Sequence, residues 1–452
     1  MQNRRHGQPV LFATYCSMRL TLHVLLINLI FTSSYAVEPD YYDLNFLRYE
    51  NYIYDSRVKT VQLFRKGWKE AFPVLNLKES GERLHLSFDL LTTEYQNLEY
   101  RFIHCDAQWN PSDLLPIEYI DGIEENTILD YNFSNNEYIR YINYRLDFPN
   151  RNISLSKSGN YIIVIYDQST REPLLTWRFF VLEPIVQVSP DIKRTTAGKY
   201  RETSHEVDFN IYVSDPDIMQ PAANLYVVVT QNQRWDNAIK GLEPRFINGN
   251  ILKYDYEVEN IFPAGNEFRM FDFRNMNYNA LKTVAVKYIN DTPNVYLMPE
   301  EIKNKSVYLN RPDINGRFYI ETDDPLFDSD FEGEYCKVHM ALIYPAPLFK
   351  ADIYVFGQLS NWDYSDRYKM TYNQEKRSYE LSLVLKQGFY NYQYLYVREG
   401  SKTGDASVIE GSFSQTDNDY SFFVYYRDPA QVYDQLVAYT STTFPVRVNE
   451  EN

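Results

Sequence analysis

Alternation of apolar and polar residues is the feature that most restricts the fold of this chain. In the segment 84–90, leucine or phenylalanine occupies every even position, and His85, Ser87 and Asp89 lie between them. A period of two places one face of a strand on a core and the other in water. Tyr161–Tyr166 is continuously apolar, which is typical of a strand buried on both faces. We find no long 3.6-residue apolar stripe, so we predict an all-β fold with few, short helices.

The composition supports a folded sheet protein. The chain has 42 Tyr and 27 Phe but only 16 Gly among 452 residues. Aromatic side chains fit a pleated, half-buried surface, and tyrosine can keep its hydroxyl in water while its ring packs. Low-complexity disorder and collagen-like repeats are excluded by this composition. With so many tyrosines, some are expected at the surface, where they favour recognition of a partner.

Domain boundaries are predicted where strand-like segments run into proline. Phe179–Leu182 is followed by Glu183 and Pro184, and Val295–Met298 is followed by Pro299. Strands spaced by turn signals over about 100 residues are typical of an immunoglobulin-like sandwich. In the third unit, strands are predicted at 353–356, 379–385, 390–397 and 421–426. We therefore predict tandem immunoglobulin-like β-sandwich domains, at 40–183, 184–299 and 306–445, after an N-terminal extension and signal peptide at 1–36.

The N-terminus predicts export. Met18 and Arg19 precede the short apolar segment 20–31, and small residues at 34–36 predict cleavage after Ala36. The start site, Met1 or Met18, stays open. A membrane anchor is the alternative, but the apolar segment is shorter than the ~20 residues needed to span a bilayer. We expect a periplasmic protein, peripheral to the outer membrane, with no transmembrane segment after cleavage.

The net charge and the cysteine content restrict the classes of partner that this chain can bind. Cleavage after Ala36 removes three arginines and no acidic residue, which takes the formal net charge from −16 to −19. Nucleic acids and anionic lipid headgroups would repel such a chain. Cys105 and Cys336 remain, in different predicted domains, and we interpret both as buried small side chains. Whether the two thiols are free or form a disulfide is left open.

Catalytic and metal-binding motifs are not found. The histidines after residue 36 are His85, His104, His205 and His339, and none has a second histidine at metal-ligand spacing. His104 and Cys105 are adjacent on a predicted strand, so their side chains point to opposite faces and cannot cooperate within it. No nucleophile elbow, phosphate loop or dinucleotide fingerprint occurs. We predict no enzyme activity, no cofactor and no metal.

One acidic segment, at 321–334, keeps two alternatives open. Asp328 begins a string that matches the start of a calcium loop, but the twelfth position is His339 where a bidentate glutamate is needed. We prefer a solvated acidic loop, with calcium binding as the alternative. Glycoside hydrolysis by a carboxylate pair is a third possible function for the chain, although no pair stands out. The acidic residues of the segment are Glu321, Asp323, Asp324, Asp328, Asp330, Glu332 and Glu334.

Several short sequence motifs between 58 and 183 resemble the first domain of type IX secretion system plug proteins. They are 58–68 (VKTVQLFRKGW), 103–112 (IHCDAQWNPS), 118–122 (EYIDG), 144–149 (YRLDFP) and 158–161 (SGNY). The likeness continues through 205–209, 231–238, 262–268 and 313–316. It implies a protein that binds the periplasmic end of the very large outer-membrane β-barrel translocon and closes its pore, with no active site or cofactor. No motif indicates which residues contact the barrel.

The third predicted domain is similar to glycogen-binding modules. The likeness rests on 352–362 (DIYVFGQLSNW) and 388–394 (GFYNYQY), and Trp362 matches a tryptophan that stacks on sugar in such modules. Gln393 stands where those modules have a lysine, and no second tryptophan follows. The resemblance therefore implies a shared fold with an incomplete sugar platform. A periplasmic carbohydrate-binding protein that uses Trp362 and other aromatic residues of this domain is the alternative function.

Overall fold

The computed structural model describes residues 46–136, 138–276, 281–323, 326, 328–401 and 403–445. The predicted signal peptide with its cleavage position at Ala36, the two candidate start residues and Asp324 lie outside the described residues. The chain divides into a short unit, Met1–Leu47, and a second unit, Arg48–Asn452. Everything below concerns the second unit. None of the described helices is long and apolar enough to span a membrane.

Strands dominate the described chain, which confirms the predicted all-β class with tandem sandwiches. Up to residue 182 they are β1 (Tyr52–Ile53), β2 (Val58–Arg65), β3 (Val74–Asn76), β4 (Leu84–Leu90), β5 (Leu98–Cys105), β6 (Ile120–Gly122), β7 (Asn126–Thr127), β8 (Asp130–Phe133), β9 (Ile142–Phe148), β10 (Ile153–Leu155), β11 (Gly159–Asp167) and β12 (Pro173–Leu182). Up to residue 297 they are β13 (Gln187–Arg194), β14 (Ser204–Tyr212), β15 (Leu225–Gln231), β16 (Ile239–Lys240), β17 (Phe246–Asn248), β18 (Ile251–Tyr254), β19 (Ile261–Pro263), β20 (Arg269–Asp272), β21 (Thr283–Ile289) and β22 (Thr292–Leu297).

The remaining strands include those predicted from 353–356, 379–385 and 390–397. They are β23 (Phe318–Ile320), β24 (Tyr335–Ile343), β25 (Ala351–Phe356), β26 (Thr371–Asn373), β27 (Ser378–Lys386), β28 (Gly388–Arg398), β29 (Asn418–Tyr426) and β30 (Gln435–Phe444). The helices are single turns, as the missing 3.6-residue stripe predicts. They are α1 (Pro116–Tyr119), α2 (Pro221–Asn224), α3 (Ser329–Glu332) and α4 (Ser407–Glu410), with 3-10 turns at Gly198–Tyr200, Gln358–Ser360 and Asp366–Tyr368.

The first sandwich lies within Tyr52–Leu182 and encloses what we call core 1. One sheet has the order β2-β4-β9-β8, and the other has the order β1-β12-β11-β5-β7, with β3 added in parallel to β12. The even residues of 84–90 face core 1, as the alternation predicts. The odd residues differ from expectation, because Ser87 and Asp89 are also buried. A second part of the chain covers that face of the sheet, as described below.

Two further cores follow, and their strands cross the predicted boundary at 299–306. Core 2 lies between the sheet β13-β14-β18-β17 and the sheet β16-β15-β29-β30. Core 3 lies between sheets built from β20 to β28. In β15, Leu225–Gln231 pairs with Tyr420–Tyr426 of β29, and in core 3 β20 pairs with β28.

The strand assignment of the predicted domains 184–299 and 306–445 is therefore corrected. The C-terminal strands β29 and β30 complete the sandwich that begins near residue 185, whereas β20 to β22 belong with the later sandwich. The strand at 421–426 lies in the third predicted domain, but it pairs with β15 of the second. Periodicity reports whether a strand exists and which face is apolar, and it contains no information on a partner about 200 residues away. Whether each sandwich folds independently stays a prediction.

Candidate functional site

Trp362, the predicted ligand-contacting residue, follows the turn Gln358–Ser360 and is partly buried. Its ring makes edge contacts with Phe356 and Phe268, with centroid distances of 5.6 and 6.2 Å. The indole N–H is buried and has no hydrogen-bond partner. The side chain therefore takes part in an aromatic cluster rather than standing free as a sugar platform.

Four of the five tryptophans of the chain line a single cavity of about 360 Å³. They are Trp109, Trp177, Trp235 and Trp362. The cavity lies where the first sandwich meets the other two. The volume falls within the range of small-ligand sites, and its lining mixes indole rings with a few polar groups. This convergence was not predicted from the sequence, because the four residues are spread over about 250 positions.

The charged groups of this cavity are largely engaged with the protein itself. The Arg178 guanidinium lies 4.2 Å over the Trp109 ring and donates two hydrogen bonds to the Tyr49 carbonyl, at 2.9 and 2.7 Å. Asp236 forms an ion pair with Arg234 at 2.7 Å. Burial raises the pKa of the Asp363 carboxyl. Histidine and cysteine do not occur among the described residues of the lining, so the usual nucleophiles and imidazole bases are not placed here.

The adjacent His104 and Cys105 are both buried and do not form a catalytic pair. The His104 ring is 2.8 Å from the Ser112 hydroxyl through Nδ1 and 3.1 Å from the Ser158 carbonyl through Nε2. Burial lowers the pKa of His104 to about 4 and raises the pKa of the Cys105 thiol. A neutral thiol beside a hydrogen-bonded imidazole is a poor nucleophile. Cys105 and Cys336 are both buried, as predicted, and both thiols are free, a point that the sequence left open.

The acidic segment 321–334 uses its carboxylates for local structure. Asp328 caps helix α3 by accepting a hydrogen bond from the Asp330 N–H at 3.0 Å, and Glu332 accepts one from the Asp328 N–H at 2.6 Å. Glu321 pairs with Arg274 at 2.9 Å. The string that matches the start of a calcium loop is thus a helix cap. Among the described residues, carboxylates spaced closely enough to hold a cation do not occur in this segment.

An exposed apolar stretch, not predicted from the sequence, lies on the first sandwich. We call residues 115–136 together with Tyr138 the apolar edge segment. It contains β7 and β8, which are end strands of the two sheets of this sandwich. Unpaired strand edges with apolar side chains are suited to contact with a partner. The exposed apolar residues of the segment are Leu115, Ile117, Ile123, Leu129, Phe133 and Tyr138.

Aromatic contacts connect this segment to neighbouring exposed residues. Tyr131 lies 4.7 Å from Tyr95 and 6.0 Å from Phe133, measured between ring centroids. Tyr138 lies 5.3 Å from Tyr288 of β21. Exposed tyrosines and phenylalanines in contact with one another are typical of binding surfaces. The sequence signal that could have indicated this surface is the series of apolar residues without period-two alternation between 114 and 133.

Comparison with known proteins provides the family. Residues 58–183, most of the first sandwich, match the family described as type 9 secretion system plug protein 1st domain. Residues 58–183 belong to this plug-domain family. The match indicates a role in type IX secretion, and the plug-domain family is not an enzyme family.

One solved structure is similar to most of this chain. It is the crystal structure of a hypothetical protein from Parabacteroides merdae ATCC 43184, with 36% sequence identity and a TM-score of 0.85. The match covers 88% of this chain and 100% of the other. The C-terminal domain of the Streptococcus pyogenes antigen I/II-family protein AspA has 8% identity and a TM-score of 0.14, which carries no structural argument. No curated protein matches the sequence.

Proposed function

We propose that this protein is a non-enzymatic plug that binds the periplasmic end of the type IX outer-membrane β-barrel translocon and closes its pore. The observation that carries the proposal is the apolar edge segment on the domain that matches the plug family. Its exposed side chains supply apolar area for a stable contact, and the first sandwich provides a preformed face that needs little ordering on binding.

The proposed location follows from the predicted signal peptide and from the charge. After cleavage at Ala36 the chain carries a formal net charge of −19, which disfavours adsorption to anionic lipid. The protein is then held at the outer membrane by the barrel and not by lipid. The side chains of the apolar edge segment are the proposed contact residues.

Affinity purification tests this proposal. Tagged protein produced in its native host is recovered from gently solubilised envelopes, and we expect a very large outer-membrane barrel to copurify. Ile117→Asp should abolish recovery of the barrel. Val307→Asp is the matched control, because Val307 is as exposed as Ile117, at 85%, and lies outside the plug domain. Equal recovery with both variants would overturn the proposed contact surface, and failure to recover any barrel with the unaltered protein would overturn the plug function.

Envelope permeability provides a second test of pore closure. We expect deletion of the gene to increase the uptake of large antibiotics, and the Val307→Asp variant to restore the barrier. Unchanged permeability after deletion would contradict pore closure by this protein.

Glycan binding is the second candidate function, favoured by the convergence of Trp362 with three other indoles on one cavity. Stacking on indole rings is a common way to bind sugar rings, and the cavity has room for a small ligand. A glycan pulldown with the unaltered protein and with Trp362→Ala tests it. Loss of a bound glycan in the variant would support this function, and the absence of any glycan with the unaltered protein would exclude it.

A further inference from the structure

Three carboxylates meet where the chain passes between core 2 and core 3. Glu267 precedes β20, Asp313 lies in the connection that leads to β23, and Asp417 directly precedes β29. One oxygen from each side chain lies within 4.8 Å of the others. The cluster thus joins three segments that belong to different parts of the two sandwiches.

Burial makes this arrangement costly without a compensating charge. Glu267 and Asp313 are each 4% exposed, and transfer of a carboxylate out of water is strongly unfavourable unless it is paired. The Tyr308 hydroxyl donates a hydrogen bond of 2.5 Å to Oε1 of Glu267. The other oxygen of Glu267, Oε2, is buried and has no hydrogen-bond partner.

A second buried oxygen without a partner adjoins the cluster. The main-chain N–H of Asn315 donates to the Asp313 carboxylate at 2.8 Å, and Asn315 is 3% exposed. Its side-chain oxygen, Oδ1, is buried without a hydrogen-bond donor. Buried oxygens normally have a donor, an ordered water or an ion as a partner. An amide oxygen of this kind, on a residue hydrogen-bonded to Asp313, is the type of group that can serve as a further ligand for a hard cation.

The electrostatics lead to the same conclusion. Three like charges at this separation repel one another, and a cation between them would reverse the repulsion.

We propose that Glu267, Asp313 and Asp417 bind a calcium ion that ties the second sandwich to the third. Carboxylate oxygens are the ligands of hard cations, and calcium accepts them at 2.3–2.6 Å in flexible geometry. Ligand atoms on opposite sides of such an ion lie about 5 Å apart, which fits the limit of 4.8 Å. Magnesium requires about 2.0–2.1 Å in near-ideal octahedral geometry and fits this spread less well. The site is independent of the proposed plug function.

Calorimetry with the full mature chain tests the proposal. Protein treated with a chelator is titrated with CaCl2, and we expect one binding event together with a calcium-dependent rise in Tm. Glu267→Gln keeps the shape and size of the side chain and should weaken calcium binding by at least about tenfold. Asp417→Asn is the second variant, because Asp417 is only half-buried and its replacement is less disruptive to folding.

Glu332→Gln is the matched control, since Glu332 lies in the acidic segment 321–334 and outside the cluster. It should bind calcium as tightly as the unaltered protein. No heat and no Tm shift with the unaltered protein would overturn the site. Unchanged binding in both cluster variants, or loss of binding in Glu332→Gln, would overturn it as well.

Terbium luminescence tests whether the metal ion binds at the cluster of Glu267, Asp313 and Asp417. Tb³⁺ replaces Ca²⁺ at oxygen sites and emits when a nearby aromatic ring is excited. Tyr308 is hydrogen-bonded to Glu267 and phenylalanine sensitises Tb³⁺ poorly, so Tyr308→Phe should weaken the emission, whereas Glu267→Gln should abolish it by removing the ion. Emission that persists at full strength in Glu267→Gln would contradict the proposal.

Discussion

The Lys386 ammonium lies 2.7 Å from Oδ2 of Asp89, and both side chains are 1% exposed. Asp89 belongs to β4 of the first sandwich and Lys386 to β27 of the third, so this ion pair joins two sandwiches across a buried interface. The Tyr335 hydroxyl donates to the same carboxylate oxygen at 2.7 Å, and the ammonium lies 4.2 Å over the Tyr141 ring. These contacts explain why Asp89 of β4 is buried.

Removal of one partner of this pair should strongly destabilise the protein. Lys386→Met leaves the Asp89 carboxylate buried without its counter-ion, and we expect the free energy of unfolding to fall by about 3–5 kcal/mol. Urea denaturation followed by fluorescence measures the change.

Lys376→Met is the control for this variant. Lys376 pairs with Glu380 at 2.9 Å in an exposed position, where solvent screens the pair, so its loss should change the free energy of unfolding far less than Lys386→Met does. The double variant Asp89→Asn with Lys386→Met should recover part of the lost stability. Equal effects of Lys386→Met and Lys376→Met would contradict this account of the interface.

Gly316 should tolerate no side chain because Trp362 and Phe268 occupy the space. A Cβ at Gly316 would lie 2.5 Å from the Trp362 ring and 2.6 Å from the Phe268 ring, with φ at +79°. Gly400 has nearly the same φ, +77°, but open space around it. Gly400→Ala therefore reports the backbone cost alone, about 1 kcal/mol. Gly316→Ala should cost about 1–3 kcal/mol more through overpacking, measured by urea denaturation. Equal losses of stability in the two variants would mean that Trp362 and Phe268 can move aside to make room for the added methyl group.

Acidification should destabilise the protein through two buried histidines. Burial lowers the pKa of His104 and of His205 to about 4, below the value near 6.5 of an unfolded chain. Between pH 6.5 and pH 4 the unfolded state binds more protons, so the free energy of unfolding falls as the pH falls. The loss is about 3 kcal/mol for each histidine by pH 4.

Unfolding measured across this pH range tests the assignment to particular histidines. His205→Gln retains groups that can bond to Tyr420 and Ser414, and it should remove about half of the pH dependence contributed by the two histidines. His339→Gln should remove less, because His339 is only partly buried. A pH dependence that is unchanged in His205→Gln would show that other groups cause it.

The two thiols of the mature chain should be unreactive in the folded protein. Burial raises the pKa of Cys105 and of Cys336, and reactivity follows the thiolate. For a chain that begins at residue 37, Ellman's reagent should detect no thiol under native conditions and two thiols in denaturant. A native reaction at either cysteine would indicate local opening of its core.

Periodicity and composition predicted the class of fold because strand formation depends on local pattern. The alternation in 84–90, the apolar segment 161–166 and the burial of both cysteines are local properties, and the structure has all of them. The resemblance of 58–183 to plug proteins depends on short contiguous motifs, so it could also be recognised from the sequence.

The pairing of distant segments could not be read in this way. A polar residue such as Asp89 looks like a solvent-facing strand position until Lys386 covers it, and the strand at 421–426 gives no sign that it pairs with β15. The convergence of four tryptophans on one cavity has the same cause, since each is a lone aromatic residue in its own segment.

The sequence by itself determined that this protein is built of β-strands, which faces of most strands are apolar and to which family its first domain belongs. Only the tertiary structure decided which strands share a sheet, that Asp89 and Lys386 form a buried pair, and that Glu267, Asp313 and Asp417 meet. The physical reason is that strand formation and apolar patterning are set over a few neighbouring residues, whereas sheet pairing and buried charge contacts depend on which distant surfaces exclude water together.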